Sequence, residues 1–245
     1  SLKKGPGNSP GNGPESSQSS SPGKDKKPGS RLDANTWMNV LLLGFVSFLN
    51  DISSEIIQPI LPLFIAQLGG GSMAVGLIGG VSDGLPSILK VLSGCWSDRL
   101  GKRKPLVVAG YALSAAGKIF LPFASAWQHV FFLNTLERSG KGVRSAPRDT
   151  MISESTDEGQ RGRGFGLHRA MDSAGAVVGS SLAYLLWQGG YSYSSILMFA
   201  GILSVVALIP FYRVKESYRA PDCSMSSIRL NLSALPPELK RFLFI

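Results

Sequence analysis

Six apolar runs follow one another between residues 37 and 213, each near the roughly 20 residues that carry a helix across a bilayer. They cover about Trp37–Phe64, Met73–Trp96, Pro105–Phe123, Trp127–Ala146, Gly164–Trp187 and Tyr191–Tyr212. Trp37, Trp127, Trp187 and Tyr212 fall near predicted ends, where amphipathic rings sit at the headgroup level. The polar connections alternate. Those near 66–72, 124–129 and 188–191 hold no Asp, Glu, Lys or Arg, and those near 97–104, 147–163 and 213–219 are rich in Lys and Arg. Basic connections stay on the cytoplasmic side, so both ends of the six-span unit are expected there.

The flanks read differently. Residues 1–35 are rich in Gly, Pro, Ser and Lys and nearly free of large apolar side chains, which predicts a disordered basic tail. No apolar stretch follows Lys3 and Lys4, so the tail is not read as a signal peptide. Residues 36–213 form the expected transmembrane bundle, and 214–240 a polar cytoplasmic linker. Residues 241–245 turn apolar again and read as the start of a truncated seventh span.

Composition adds little to this picture. Mean hydropathy is only +0.13, because the polar tail dilutes the spans. The net charge of +9 could suit nucleic acid, but the cations cluster in connections between apolar runs, so topology explains them and no nucleic acid partner is expected. Cys95 and Cys223 stand far apart with no disulfide or metal spacing. Neither a Walker loop nor a zinc motif is present, so no metal site or cofactor is expected and nothing points to an ATP-driven pump.

Charges inside the spans carry the candidate chemistry, since each costs at least about 2.5–3.5 kcal/mol at a helix centre. Asp51 and Glu55 lie one turn apart on the first span. The fourth span carries Glu137, Arg138, Lys141, Arg144 and Arg148; all but Arg138 follow a spacing that predicts one stripe. Asp51 lies roughly 21 Å in from the cytoplasmic start of its span and Arg138 roughly 16 Å in from the outer start of its own, so the two charged regions meet at similar depth. An acidic helix facing a basic one across a wet cavity would satisfy both, and a packing salt bridge is the bland alternative. Asp83, and Asp172 with His168 and Arg169 one turn away, also lie inside spans. Lys90 and Lys118 are within reach of span ends and are expected to snorkel. The sixth span is uncharged and is expected to face lipid.

Between the second and third spans stands Gly94-x-x-x-Asp98-Arg99-x-Gly101-Lys102-Arg103-Lys104. Its glycines suit a tight turn and its cations suit a helix C-terminus. The pattern resembles the loop between helices 2 and 3 of the major facilitator superfamily of secondary transporters. Two further places are similar to that superfamily. Arg138-Ser-Gly-Lys141-Gly142 resembles the R-x-x-Q-G of proton-coupled members, with Lys in place of Gln. Gly166, Gly175 and Gly179 keep the glycine spacing of antiporting members, with Ser180 where those have Pro. Glycines so spaced also serve close helix packing, and Gly142 is expected to serve it too.

The resemblance covers about residues 37–213. It implies an all-α membrane protein whose six transmembrane helices form two inverted three-helix repeats, the N-terminal half of a twelve-helix major facilitator fold. It implies a secondary active transporter that moves a small solute by alternating access, with proton-coupled export of a drug, metal or other small molecule as the leading expectation. Asp51, Glu55, Glu137, Arg138, Lys141, Arg144, Arg169 and Asp172 are then the proton- and substrate-coupling candidates. Gly94, Asp98, Arg99, Gly101, Lys102 and Arg103 form the cytoplasmic gate, and Gly142, Gly166, Gly175 and Gly179 pack helices. The implied partners are a small molecule or ion, protons, the lipid of a plasma (inner) membrane, and a missing C-terminal half or a second copy. The alternative is a non-transporting six-span sensor or scaffold, or a half-transporter that acts only as a dimer. An enzyme is not expected, because no nucleophile, base and orienting group are legible together.

Overall fold

A computed structural model describes residues 34–156 and 158–214. The tail expected over 1–35 therefore lies outside the described residues except for its last two, and the linker over 214–240 except for Val214. The seventh-span start at 241–245 lies outside them altogether.

The described residues form six long helices: α1 (Ala34–Gln67), α2 (Ser72–Leu100), α3 (Lys104–Phe120), α4 (Trp127–Glu154), α5 (Arg161–Gln188) and α6 (Tyr193–Val206). Short 3₁₀ turns follow α3, precede α5 and close the chain at Pro210–Arg213. Four stretches are long and apolar enough to cross a membrane by composition: Trp37–Gln67, Ser72–Leu100, Lys104–Phe123 and Tyr193–Arg213. α4 and α5 have the length but not the apolarity, because both carry charges: those of α4 are buried or half-buried, whereas on α5 Arg161, Arg163 and Arg169 are exposed and Asp172 is half-buried. α4 also runs eight residues past the expected Ala146, straight through Pro147, so Arg148 and Asp149 are helical. Likewise α2 continues to Leu100, which puts Asp98 and Arg99 in its last turn and not in a loop.

The packing carries an internal symmetry. α1 packs on α5 as α4 packs on α2, and α3 packs on α4 as α6 packs on α1. Advancing each helix by three positions in the order exchanges these pairs, as inverted three-helix repeats require. Small residues set the closest approaches. A side chain at Gly140 would run into the backbone of Gly110 and Ser114 on α3, and one at Gly179 would come within 2.6 Å of the Ile52 carbonyl on α1. In lipid, where apolar burial between helices gives little, such backbone proximity is the main source of association.

Two apolar clusters are buried. One gathers Ile52–Ile65 of α1 with Ile78, Leu121, Val130, Ile196 and Leu197, and the other gathers Leu43, Val46, Val107, Tyr111, Met151 and Ile152. Along α1 a polar run, Ser47 to Ser54, falls where the first cluster gives way to the second, and its buried members Ser47, Asn50, Ser53 and Ser54 face polar groups of α3, α4 and α6. α6 buries Ile196, Leu197, Ala200 and Ser204 against α1 and α3 and leaves Phe199, Ile202 and Val206 on the outside, the outer helix its sequence predicts.

Candidate functional site

A cavity of about 520 Å³ opens among α1, α2, α4 and α5. Its walls carry Asp51 from α1, Lys90 from α2, Lys141, Arg148 and Asp149 from α4, and His168, Arg169 and Asp172 from α5. Each carboxylate has a cation beside it. Lys141 Nζ lies 4.0 Å from Asp51 Oδ1, and Lys90 Nζ lies 3.3 Å from Asp149 Oδ2. Arg148 reaches Asp149 at 3.4 Å and donates to Ser47 Oγ at 2.7 Å. His168 Nδ1 and Arg169 Nη1 lie 3.4 and 4.0 Å from Asp172 Oδ2. The site is therefore a set of long, breakable pairs around a space large enough for a small solute.

The expected stripe on α4 divides in two. Lys141 and Arg148 face the cavity, whereas Glu137 and Arg144 are buried against α3. The reason is rotational: residues 137 and 144 form one row and 141 and 148 another, about 40° around the helix, and α3 covers only the first. Arg144 donates to Ser114 Oγ at 3.0 Å and stacks over the Tyr111 ring at 4.4 Å. It holds helices together and does not line the cavity. Glu55 also stays outside this space, although it is one turn from Asp51. Asp83 is exposed on α2.

Lys118 corrects a second expectation. It does not snorkel: the residue is 1% exposed. Its ammonium donates to the Asn50 carbonyl at 3.2 Å, to Asn50 Oδ1 at 3.1 Å and to Ser54 Oγ at 2.9 Å. Glu137 lies 3.9 Å from it and pairs with Arg138 Nε at 3.2 Å. A signal was present in the sequence: Lys118 continues the row of Tyr111 and Ser114 at i+7 and i+4, a face too polar to be lipid-exposed.

The basic connection is built as its glycine suggests. Gly101 takes a left-handed conformation, φ 62°, and its N–H caps α2 by donating to the Ser97 carbonyl at 3.1 Å. The turn delivers Arg103 to two acids, Asp98 at 3.8 Å and Glu154 at the end of α4 in a closer ion pair. Glu154 was invisible as a candidate because it lies 51 residues from Arg103 in sequence and outside every expected span. Arg99 and Lys102 stay on the exposed side of the turn. Lys104 Nζ donates to the Val214 carbonyl at 2.6 Å, tying the connection to the end of the bundle.

Of the four packing glycines, three lie at close approaches. Gly175 and Gly179 meet α1 at the Phe48 and Ile52 carbonyls, and Gly142 meets Pro86 and Leu89 of α2. Gly166 does not pack: nothing lies within 4 Å of where its Cβ would be, and it lines the cavity instead. Gly94 meets only the Ala146 methyl at an ordinary 3.5 Å.

Six helices packed as two three-helix repeats, charges gathered inward on the fourth, and a capped basic turn after the second form a recognisable whole. A sequence profile for the Major Facilitator Superfamily matches residues 43–239. The chain belongs to the Major Facilitator Superfamily. It is 46% identical over 208 residues to an uncharacterized MFS-type transporter of Methanocaldococcus jannaschii, covering 84% of this chain and 52% of that protein. It is 31% identical over 164 residues to the multidrug resistance protein MdtH of Edwardsiella ictaluri, covering 64% of this chain and 40% of that one. Among solved structures it resembles a POT peptide transporter in complex with sulfate, with a TM-score of 0.65 at 18% identity over 84% of this chain and 42% of that chain. The chain spans about half the length of the curated relatives it matches. Its helices are those of the N-terminal half of the twelve-helix major facilitator fold. It is thus an integral membrane protein of a transporter superfamily, and its relatives are transporters and not enzymes.

Proposed function

We propose that the chain works within a secondary active transporter that exports a small solute in exchange for protons, by alternating access. The observation that carries this reading is the Asp51–Lys141 pair at 4.0 Å across the cavity. Two opposite charges at about 4 Å attract by about 4 kcal/mol where the effective dielectric constant is near 20. Protonating Asp51 removes that attraction and frees Lys141. Couplings between sites in proteins are about 1–3 kcal/mol, so the pair is strong enough to link proton and solute. Arg148, Asp149, His168, Arg169 and Asp172 shape the remainder of the space, and Glu137, paired with Arg138 and with Lys118 of α3, fixes α4 one turn before Lys141.

Both ends of the bundle lie in the cytoplasm in this reading, with the cavity open to that side, and the protein sits in the plasma (inner) membrane. Arg103, Asp98 and Glu154 then form the cytoplasmic gate between the α2–α3 connection and the end of α4. The gate works against the second half of the fold, supplied by more of the chain or by a second copy.

Everted vesicles carrying the protein and a pH-sensitive dye test the proposal. After energisation, proton efflux on adding one class among metals, cationic drugs, organic anions and sugars is the expected result. Solute accumulation that is indifferent to a collapsed proton gradient would overturn the proton coupling.

A further inference from the structure

The buried charges of the bundle are one-sided. Among the described residues, the Lys, Arg, Asp and Glu side chains that reach full burial are Lys118, Arg138, Arg144 and Glu137, three cations to one acid. They sit inside a polar seam. Along α4 the seam begins at Asn134, bonded to Ser82 of α2, and ends at Arg148, bonded to Ser47 of α1. These two residues are about 21 Å apart on the helix, in a hydrocarbon core about 30 Å thick. Polar chains that include carboxyl groups relay protons through membrane proteins, and Arg148 already lines the cavity. The seam therefore needs a reason not to conduct.

Its hydrogen bonds supply one. Lys118 directs its three N–H groups to Asn50 and Ser54 of α1, and Ser54 Oγ donates onward to Glu137 Oε1 at 3.4 Å. Arg144 donates to Ser114, whose Oγ donates to the Glu137 carbonyl at 3.0 Å. Both chains run toward residue 137 from cations that have no lone pair with which to accept a proton. Asn50 Nδ2 and Arg144 Nε are buried donors with no described acceptor, so neither offers a landing place. Glu137 does, and it is flanked by Lys118 at 3.9 Å and by Arg138 at 3.2 Å. A migrating proton meets positive charge at the one buried group able to hold it.

We propose that Lys118, together with Arg138 and Arg144, is a charge barrier that stops protons from crossing the bundle along this seam and confines proton traffic to the cavity. Fixed cations keep protons out of narrow polar passages in the same way. The barrier is a function separate from solute exchange, and it is measured with no solute present.

The test uses the purified chain in liposomes loaded with the pH-sensitive dye pyranine, at a temperature where each variant is folded. A pH step is applied outside, with potassium and valinomycin holding the membrane potential at zero. The wild type should be as tight to protons as protein-free liposomes. Lys118→Met should admit protons about tenfold faster or more, because a unit charge within about 10 Å changes a proton's energy by that factor at an effective dielectric constant near 20. Lys118→Gln keeps a donor without the charge and should leak alike; it decides if Lys118→Met does not fold. Glu137→Gln should be tight, and adding it to either Lys118 variant should close the leak, because the landing carboxylate is gone. A bundle merely loosened would leak more in the double variant. Potassium release, measured without valinomycin, should stay at the protein-free level throughout. Four results would each overturn the barrier: a proton-permeable wild type, folded Lys118 variants as tight as the wild type, a leak that Glu137→Gln does not close, or potassium passing with the protons. A tight wild type with leaky Lys118 variants stands whether or not the vesicle screen finds proton exchange.

Discussion

Replacing Lys118 by Met removes a cation from the middle of the bundle while keeping the length and apolar stem of the side chain. The substitution deletes three hydrogen bonds from α3 to Asn50 and Ser54 of α1. Interhelical hydrogen bonds in membrane proteins average about 0.6 kcal/mol, so these contribute about 2 kcal/mol together. It also leaves Glu137 with less compensation in a site where it is 5% exposed. Breaking a buried pair by removing one partner costs about 3–5 kcal/mol. Arg138, 3.2 Å from the other oxygen, keeps part of that compensation, which puts the expected total near 3 kcal/mol. For a domain of this size that corresponds to a melting temperature lower by about 10 °C. Thermal unfolding in detergent, followed by tryptophan fluorescence, measures it. Glu137→Gln should also destabilise, and the double variant should be less destabilised than the sum of the two, with a coupling of about 1–3 kcal/mol. A Lys118→Met protein that melts within about 1 °C of the wild type, or strictly additive variants, would refute the view that this pair ties α1, α3 and α4 together.

Three further outcomes follow from the same geometry. Gly140→Ala pushes a methyl into the backbone of Gly110 and Ser114, which cannot rotate away, and should cost about 1–3 kcal/mol, whereas Gly166→Ala should melt like the wild type. Glu154→Gln removes the closer acid from Arg103, so amide hydrogen exchange should accelerate over residues 97–104 and remain unchanged over α6. Tyr111→Leu takes the ring from under Arg144 and should lower the melting temperature without changing which solutes are transported, because Arg144 lies outside the cavity.

The fold was largely legible because its determinants are local. Apolar run length and alternating basic connections specify six spans and their order, and Gly69, Gly101 and Gly190 mark three turns that take a left-handed residue. What escaped the sequence was rotational. Lys118 lies as far from a span end as a snorkelling lysine would; its row with Tyr111 and Ser114 marks a polar face, but the packing of α3 against α1 and α4 is what makes that face an inward one. The four-residue spacing from Glu137 to Lys141 suggests one face, yet 40° of helix rotation is enough to send one to α3 and the other to the cavity. The same limit applies to Asp51 and Glu55, which share a face of α1 but meet different neighbours on α4 and α5. Pairings at long sequence separation, such as Arg103 with Glu154, have no local signature at all. Gly166 shows the converse, a residue with motif spacing whose place in the structure requires no glycine.

In the proposed exchange Asp51 couples proton movement to solute movement through Lys141. Proteoliposomes containing Asp51→Asn separate coupling from transport when the solute found in the vesicle screen is measured in two ways. Exchange of labelled for unlabelled solute without a gradient should persist, because the cavity and its other pairs remain. Uptake driven by an imposed pH gradient should fall to the level of protein-free liposomes. Gradient-driven uptake at the wild-type rate in Asp51→Asn would show that protons are coupled elsewhere than at Asp51.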